Sequence, residues 1–179
     1  MPRPISPRDG RRHRRLMEPV ARERGIRIAV DARPALADAD AAAIQQAAVN
    51  LLDNAIKFSP PGSTVRLAVA PAEAGAGGWV LGVADEGPGI PRALRDRAFE
   101  RFVRLGDELR RETKGAGIGL SLVKHIAEGH GGTACIADAP GGGVLVSIRC
   151  PGRGERLAPP VADAHSTPNP SHAPPDHRG

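Results

Sequence analysis

The sequence predicts an α/β protein: a two-layer α/β sandwich with a mixed, mostly antiparallel sheet and helices on one face. Three observations lead there. Over residues 16–150, runs with strand-like alternation are interleaved with runs of helical spacing. The strand-like runs come in pairs joined by glycine-rich connections, which suits antiparallel neighbours. The first helical run is apolar along a single stripe, the pattern of a helix lying on a sheet. At 179 residues the chain has room for one domain with a proper core.

The elements follow in order. "GIRIAVDA" reads as the first strand. Asp40 stands where an N-cap belongs for a helix running to about Ser59, and Pro60-Pro61-Gly62 ends it. Ile44, Ala47, Ala48, Leu51, Leu52, Ala55 and Ile56 form its stripe. "TVRLAVA" and "WVLGVAD" alternate as strands on either side of "PAEAGAGG". "EGPGIP" is a turn, followed by a short helix around "RALRDRAF" and a charged loop to Lys114. A second helix is expected from about Ile118 to Gly129, stopped by Gly131-Gly132. "TACIADA" and "VLVSIRC" close the fold as a hairpin around "PGGG".

Composition divides the chain into three zones. Residues 1–15 hold six arginines against one acid, so they carry the whole net charge of +5 and leave the remainder neutral. They are read as a disordered basic leader, with no aromatic interleaving to suggest nucleic-acid binding. Residues 151–179 are rich in Pro, Ala, Ser, His and Gly and are read as a disordered tail. No apolar run approaches the ~20 residues of a membrane span, and no apolar segment follows the basic start as a secretory signal requires. Cys135 and Cys150 lack the paired spacing of a zinc site and are expected to be buried thiols in a cytoplasmic protein.

Four segments carry chemistry. In "NLLDNAIKF", Asn50, Asn54 and Lys57 share a narrow arc opposite the apolar stripe, at about 100° per residue. A merely solvated face favours Glu, Lys and Arg; Asn offers a neutral carbonyl oxygen and amide protons, suited to a hard cation or polar ligand. "DEGPG" places Asp85, Gly87 and Gly89 just after a strand, where a carboxylate can accept from an exocyclic amine and backbone can approach a ring. "KGAGIGLSL" puts Gly115, Gly117 and Gly119 at a helix opening, a natural phosphate cradle. "FERF" brings Phe99 and Phe102; with Phe58 these are the three phenylalanines of a chain without tyrosine. Each segment alone has an ordinary structural explanation.

Together and in this order, the segments resemble the ATP-binding catalytic domain of sensor histidine kinases, of the Bergerat-fold ATPase/kinase superfamily. "NLLDNAIKF" looks like its N box, "DEGPG" its G1 box, "FERF" its F box and "GAGIGL" its G2 box. The resemblance implies that Asn54 ligates Mg²⁺ with help from Asn50, that Lys57 meets phosphate, and that Phe58 shapes the nucleotide pocket. It implies that Asp85 binds the adenine amino group, with Gly87 and Gly89 making room for the ring. Gly115, Gly117 and Gly119 would line the phosphates at the hinge of a lid in which Arg104 is the cation. Ile90, Phe102 and Leu120 complete the ATP contacts that the resemblance implies. Hydrolytic relatives carry Glu one turn before the metal-binding Asn, to activate water; Asn50 points instead to phosphoryl transfer onto histidine.

The phosphoacceptor box of a complete kinase is not matched around His13, and His125 and His130 are assigned to packing and capping. The expected reading is thus a histidine-kinase catalytic domain, incomplete or acting in trans. Its partners would be a dimerisation helix pair carrying the accepting histidine and a downstream response regulator. The alternatives are a nucleotide-dependent interaction module and a hydrolytic ATPase.

Overall fold

The computed structural model describes residues 3–5, 7–37, 40–72, 78–101 and 118–152. Their order is β1 (Arg3–Ile5), α1 (Pro7–Glu23), β2 (Arg27–Ala32), β3 (Ala35–Ala37), α2 (Ala41–Phe58), β4 (Thr64–Pro71) and β5 (Trp79–Ala84). Two short 3₁₀ turns follow, at Arg92–Leu94 and Arg97–Phe99, and then α3 (Gly119–Gly129), β6 (Thr133–Asp138) and β7 (Val144–Cys150).

A five-stranded sheet runs in the order β2-β4-β5-β7-β6. Its β2/β4 pair is parallel and the other three pairs are antiparallel, as the paired strand patterns predict. β1 and β3 make a separate antiparallel pair. Because side chains alternate across a strand, register decides which residues share a face. One row crosses the sheet through Val30, Leu67, Val83, Val146 and Ile136. A parallel row runs through Ala32, Val69, Leu81, Ile148 and Ala134. Both rows belong to the core or pack against it, together with the stripes of the helices.

α2 is the central helix of that layer. Asp40 caps it as predicted, its Oδ1 accepting from Ala42 N–H at 2.8 Å and Ala43 N–H at 3.3 Å. All seven stripe residues named from the sequence are buried. Ser59 turns extended, and the prolines that follow cannot continue the helix. His130, at the end of α3, does cap: Nδ1–H donates to the Ile126 carbonyl at 2.7 Å, while Nε2 accepts the Asp40 N–H at 3.1 Å. The end of α3 is thereby tied to the start of α2, over the fully buried Trp79, whose ring meets His130 edge-on at 6.4 Å.

Three expectations differ. α1 begins inside the segment expected to stay unpacked, 1–15. Gly10, His13, Met17 and Ala21 recur at helical spacing and are buried. A Cβ on Gly10 would meet Val30 Cγ1 at 3.0 Å, so the helix lies close on β2. The arginines 11, 12, 14 and 15 point outward, and their charge masks the stripe in a composition-based reading. The helix expected around "RALRDRAF" is instead two 3₁₀ turns. Cys135 is exposed on the outer face of β6, whereas Cys150 is buried. The tail from residue 153 lies outside the described residues.

The cap provides a stability test. Asp40→Ala removes an acceptor shared by two first-turn N–H groups and should destabilise the ligand-free fold by about 1 kcal/mol. Thermal denaturation should show this as a fall of roughly 2–4 °C.

Candidate functional site

Asp85 stands at the end of β5 and is 9% exposed. Its Oδ1 accepts from Gly87 N–H at 2.8 Å and from Val144 N–H at 3.1 Å, while its own N–H donates to the Val144 carbonyl at 2.9 Å. Burial pushes the carboxyl pKa up from its ordinary value, and the two backbone donors pull against that shift. The result is an oriented carboxylate group at the mouth of the sheet, chemically suited to accept from an amine.

Glycine makes this arrangement possible on both sides. A Cβ on Gly143 would lie 2.1 Å from the Asp85 carbonyl oxygen, and Gly143 has φ +87°, so neither space nor backbone admits a side chain. A Cβ on Gly87 would lie 2.9 Å from the Phe58 carbonyl oxygen. The loop after β5 thus passes directly beside the C-terminal end of α2. Phe58 itself is 51% exposed beside this junction, an unusual position for a large aromatic ring.

The polar arc of α2 meets the start of α3. Asn50 Nδ2 donates to its own helix, to the Gln46 carbonyl at 2.8 Å, which fixes the amide and leaves Oδ1 available. A Cβ on Gly119, the first residue of α3, would lie 3.3 Å from Asn54 Nδ2, 3.4 Å from Asn50 Oδ1 and 3.6 Å from Asn54 Oδ1. The N-cap position is Ile118, which makes no side-chain capping bond. The positive end of α3 is therefore turned toward two neutral carbonyl oxygens without a side chain between them. Lys57 is occupied: its Nζ pairs with Asp53 one turn back.

The structure thus brings Asn50, Asn54 and Gly119 together, and separately Phe58, Asp85 and Gly87, at two levels of the same helix. Gly89 has φ +81° in the loop beyond, Ile90 packs against the core, and Leu120 is half-buried one residue into α3. Phe102, Arg104, Gly115 and Gly117 lie outside the described residues. Sequence reasoning missed Gly143 and Val144, which hold Asp85 from behind. The signal was present: three consecutive glycines exceed what a hairpin turn requires, and Gly141, Gly142 and Gly143 all have positive φ. It also missed Arg95, which reaches the Ile90 carbonyl at 3.0 Å.

Among the described residues, no cluster of three or more His, Cys, Asp or Glu could hold a metal. The asparagine oxygens fit a hard divalent cation shared with an anionic ligand, since neutral oxygen donors leave the anion to supply the charge.

Residues 39–154 match the family described as histidine kinase-, DNA gyrase B-, and HSP90-like ATPase. The sensor histidine kinase TmoS of Ectopseudomonas mendocina is 39% identical over 136 residues, which make up 74% of this chain and 14% of TmoS. A solved structure of a mycobacterial sensor histidine kinase, MprB, aligns with a TM-score of 0.66 at 32% identity, covering 86% of this chain and 99% of the other. Full-length ShkA in complex with AMPPNP aligns with a TM-score of 0.68 at 30% identity, covering 83% of this chain and 30% of ShkA. The chain therefore spans a small part of TmoS and of full-length ShkA.

The raised pKa of Asp85 makes a stability prediction of definite sign. The native state holds this proton more tightly than the unfolded chain does, so stability falls as pH rises from the ordinary value of 3.8 through the raised one. Asp85→Asn keeps an acceptor for both backbone donors and removes the buried charge. Without ligand it should melt at or above the wild-type temperature at pH 7. That advantage should shrink as pH is lowered toward 3.8, where the native carboxyl is already protonated. Melting curves across this range check the sign.

Proposed function

Because the chain belongs to the histidine kinase-, DNA gyrase B-, and HSP90-like ATPase family, we propose that it is the ATP-binding catalytic domain of a two-component histidine kinase. It would transfer the γ-phosphoryl group of ATP to a histidine on a dimerisation helix outside this chain, with a response regulator as the next acceptor. The work would take place in the cytoplasm, where ATP and such regulators are found. No helix among the described residues is long and apolar enough to cross a membrane.

The single observation that carries the kinase reading is Asn50. It stands beside Asn54 and Gly119, at the position where hydrolytic relatives place a water-activating Glu. An amide cannot take a proton from water at neutral pH, so the pocket holds no base there. A neutral imidazole needs none. Its nitrogen lone pair forms the bond to γ-phosphorus while the bond to the bridging oxygen breaks, and ADP leaves with that electron pair.

The residues then divide the work. Asp85 accepts from the adenine amino group, and Gly87 and Gly89 let the ring lie against the backbone. Phe58 flanks the nucleotide, with Ile90 and Leu120 as apolar neighbours, and the family resemblance adds Phe102 to the contacts. The first-turn N–H groups of α3, opened by Gly119, face the phosphates, a role that the family resemblance extends to Gly115 and Gly117. Lys57 is the cation on α2, releasing Asp53 when it engages phosphate, and the family resemblance assigns Arg104 as a second cation for the phosphates. Asn54 and Asn50 would hold Mg²⁺, whose contribution is to neutralise charge on the phosphates.

Two outcomes are expected. Asn54→Ala should weaken Mg²⁺-dependent ATP binding by about tenfold or more, the scale of losing one strong interaction with a charged group. Its ligand-free melting temperature should stay close to wild type, because the side chain lies off the apolar stripe; titration calorimetry and thermal melts read the two effects separately. In the activity test, γ-labelled ATP is mixed with the chain and a dimeric acceptor helix pair. Label should appear on histidine in an acid-labile, base-stable form. Tight nucleotide binding with no labelled histidine would favour the interaction module, and steady phosphate release without acceptor would favour the hydrolase.

A further inference from the structure

The loop carrying Asp85 has no regular secondary structure until Arg92, yet a nucleotide base can be selected only if its wall is held in place. At its near end the loop is well anchored, through the bonds between Asp85 and Val144. At its far end, among the described residues, one hydrogen bond reaches the backbone of residues 88–90. It comes from Arg95, whose Nε–H donates to the Ile90 carbonyl at 3.0 Å. The same guanidinium uses Nη2 to pair with Asp138 Oδ1.

Asp138 is the last residue of β6, and across the sheet it pairs with Val144. The contacts therefore close a circuit: Val144 to Asp85, along the loop to Ile90, through Arg95 to Asp138, and across the strands back to Val144. Both ends of the loop are tied to one cross-strand pair. A surface ion pair contributes little by itself. The Arg95 side chain, however, is only 15% exposed, and its planar fork serves two acceptors at once, a task a lysine cannot reproduce with the same geometry.

We propose that Arg95 is a positioning residue for base recognition, a strap that fixes the loop between Asp85 and Ile90 and so sets how strictly the site prefers adenine over guanine. This rests on the reading of Asp85 as the adenine acceptor. Arg95 touches no nucleotide in this role. It acts through the carbonyl it holds, by keeping Gly87 and Gly89 at the distance from the ring at which Asp85 can distinguish an amine from a carbonyl.

The test measures affinities for ATP and GTP, and ligand-free melting temperature, on the full chain. Arg95→Ala should lower the ATP-to-GTP preference by about tenfold, mainly by weakening ATP, as expected for losing a hydrogen bond made by a charged group. Arg95→Lys should recover only part of the preference. Asp138→Asn should move it in the same direction by less; at 66% exposure this substitution does not threaten the fold. Adding Asp138→Asn to Arg95→Ala should cause no further loss, since both act through one strap. Wild-type preference in both Arg95→Ala and Asp138→Asn, with only the melting temperature lowered, would overturn the proposal. Asp85→Asn separates it from its premise. If Asp85→Asn loses the preference while Arg95→Ala keeps it, the strap alone is wrong. If Asp85→Asn keeps the wild-type preference, the adenine reading fails and the strap's role fails with it.

Discussion

The rotation of α2 about its own axis is the constraint on which the rest of the molecule depends. Ile44, Ala47, Ala48, Leu51, Leu52, Ala55 and Ile56 are buried against the sheet, and three of them are alanines that bring the helix close. Such a stripe packs in one orientation, because turning it would expose apolar surface at about 25 cal/mol per Å². With the rotation set, Asn50 and Asn54 face the opening of α3, and Gly119 leaves that approach clear. The end of the same helix brings the Phe58 carbonyl against Gly87. One packed stripe thus positions both levels of the site.

Asp85 shows the opposite economy. A buried carboxylate is unfavourable for the ligand-free fold, and two backbone donors offset only part of the desolvation. The fold accepts that cost at the position proposed to serve as the acceptor for the base. Gly143 belongs to the same arrangement, since a side chain there would occupy the space of the Asp85 carbonyl. Functional sites commonly keep such locally unfavourable features, held in place by the surrounding structure. Here the surroundings are the β6–β7 hairpin on one side and the end of α2 on the other.

Much of this was legible in the chain itself. The helix from Asp40 to Ser59, the main strands, the closing hairpin and the glycine stop after α3 were all expected, because each is written in local periodicity or turn chemistry. α1 was not, because outward arginines dominate its composition while its stripe of Gly10, His13, Met17 and Ala21 includes only two ordinary apolar residues. Cys135 was expected inside, but strand parity places it on the outer face, opposite Ser147. The asparagine pair could be singled out because Asn is a poor choice for a helix interior, and Asp85 because its carboxylate follows a strand directly and stands beside glycines.

What the sequence determined by itself was helices α2 and α3, the five strands of the main sheet, the buried face of α2 and the residue types of the candidate site, since these rest on residues a few positions apart. The tertiary structure alone decided which groups serve Asp85 and its loop. Val144 reaches Asp85 across 59 positions, and Arg95 reaches Asp138 across 43. A valine N–H and a largely buried arginine carry no local mark of such duties. They acquire them because β5 and β7 pair in one register, and that register is set by burying Leu81 against Ile148 and Val83 against Val146.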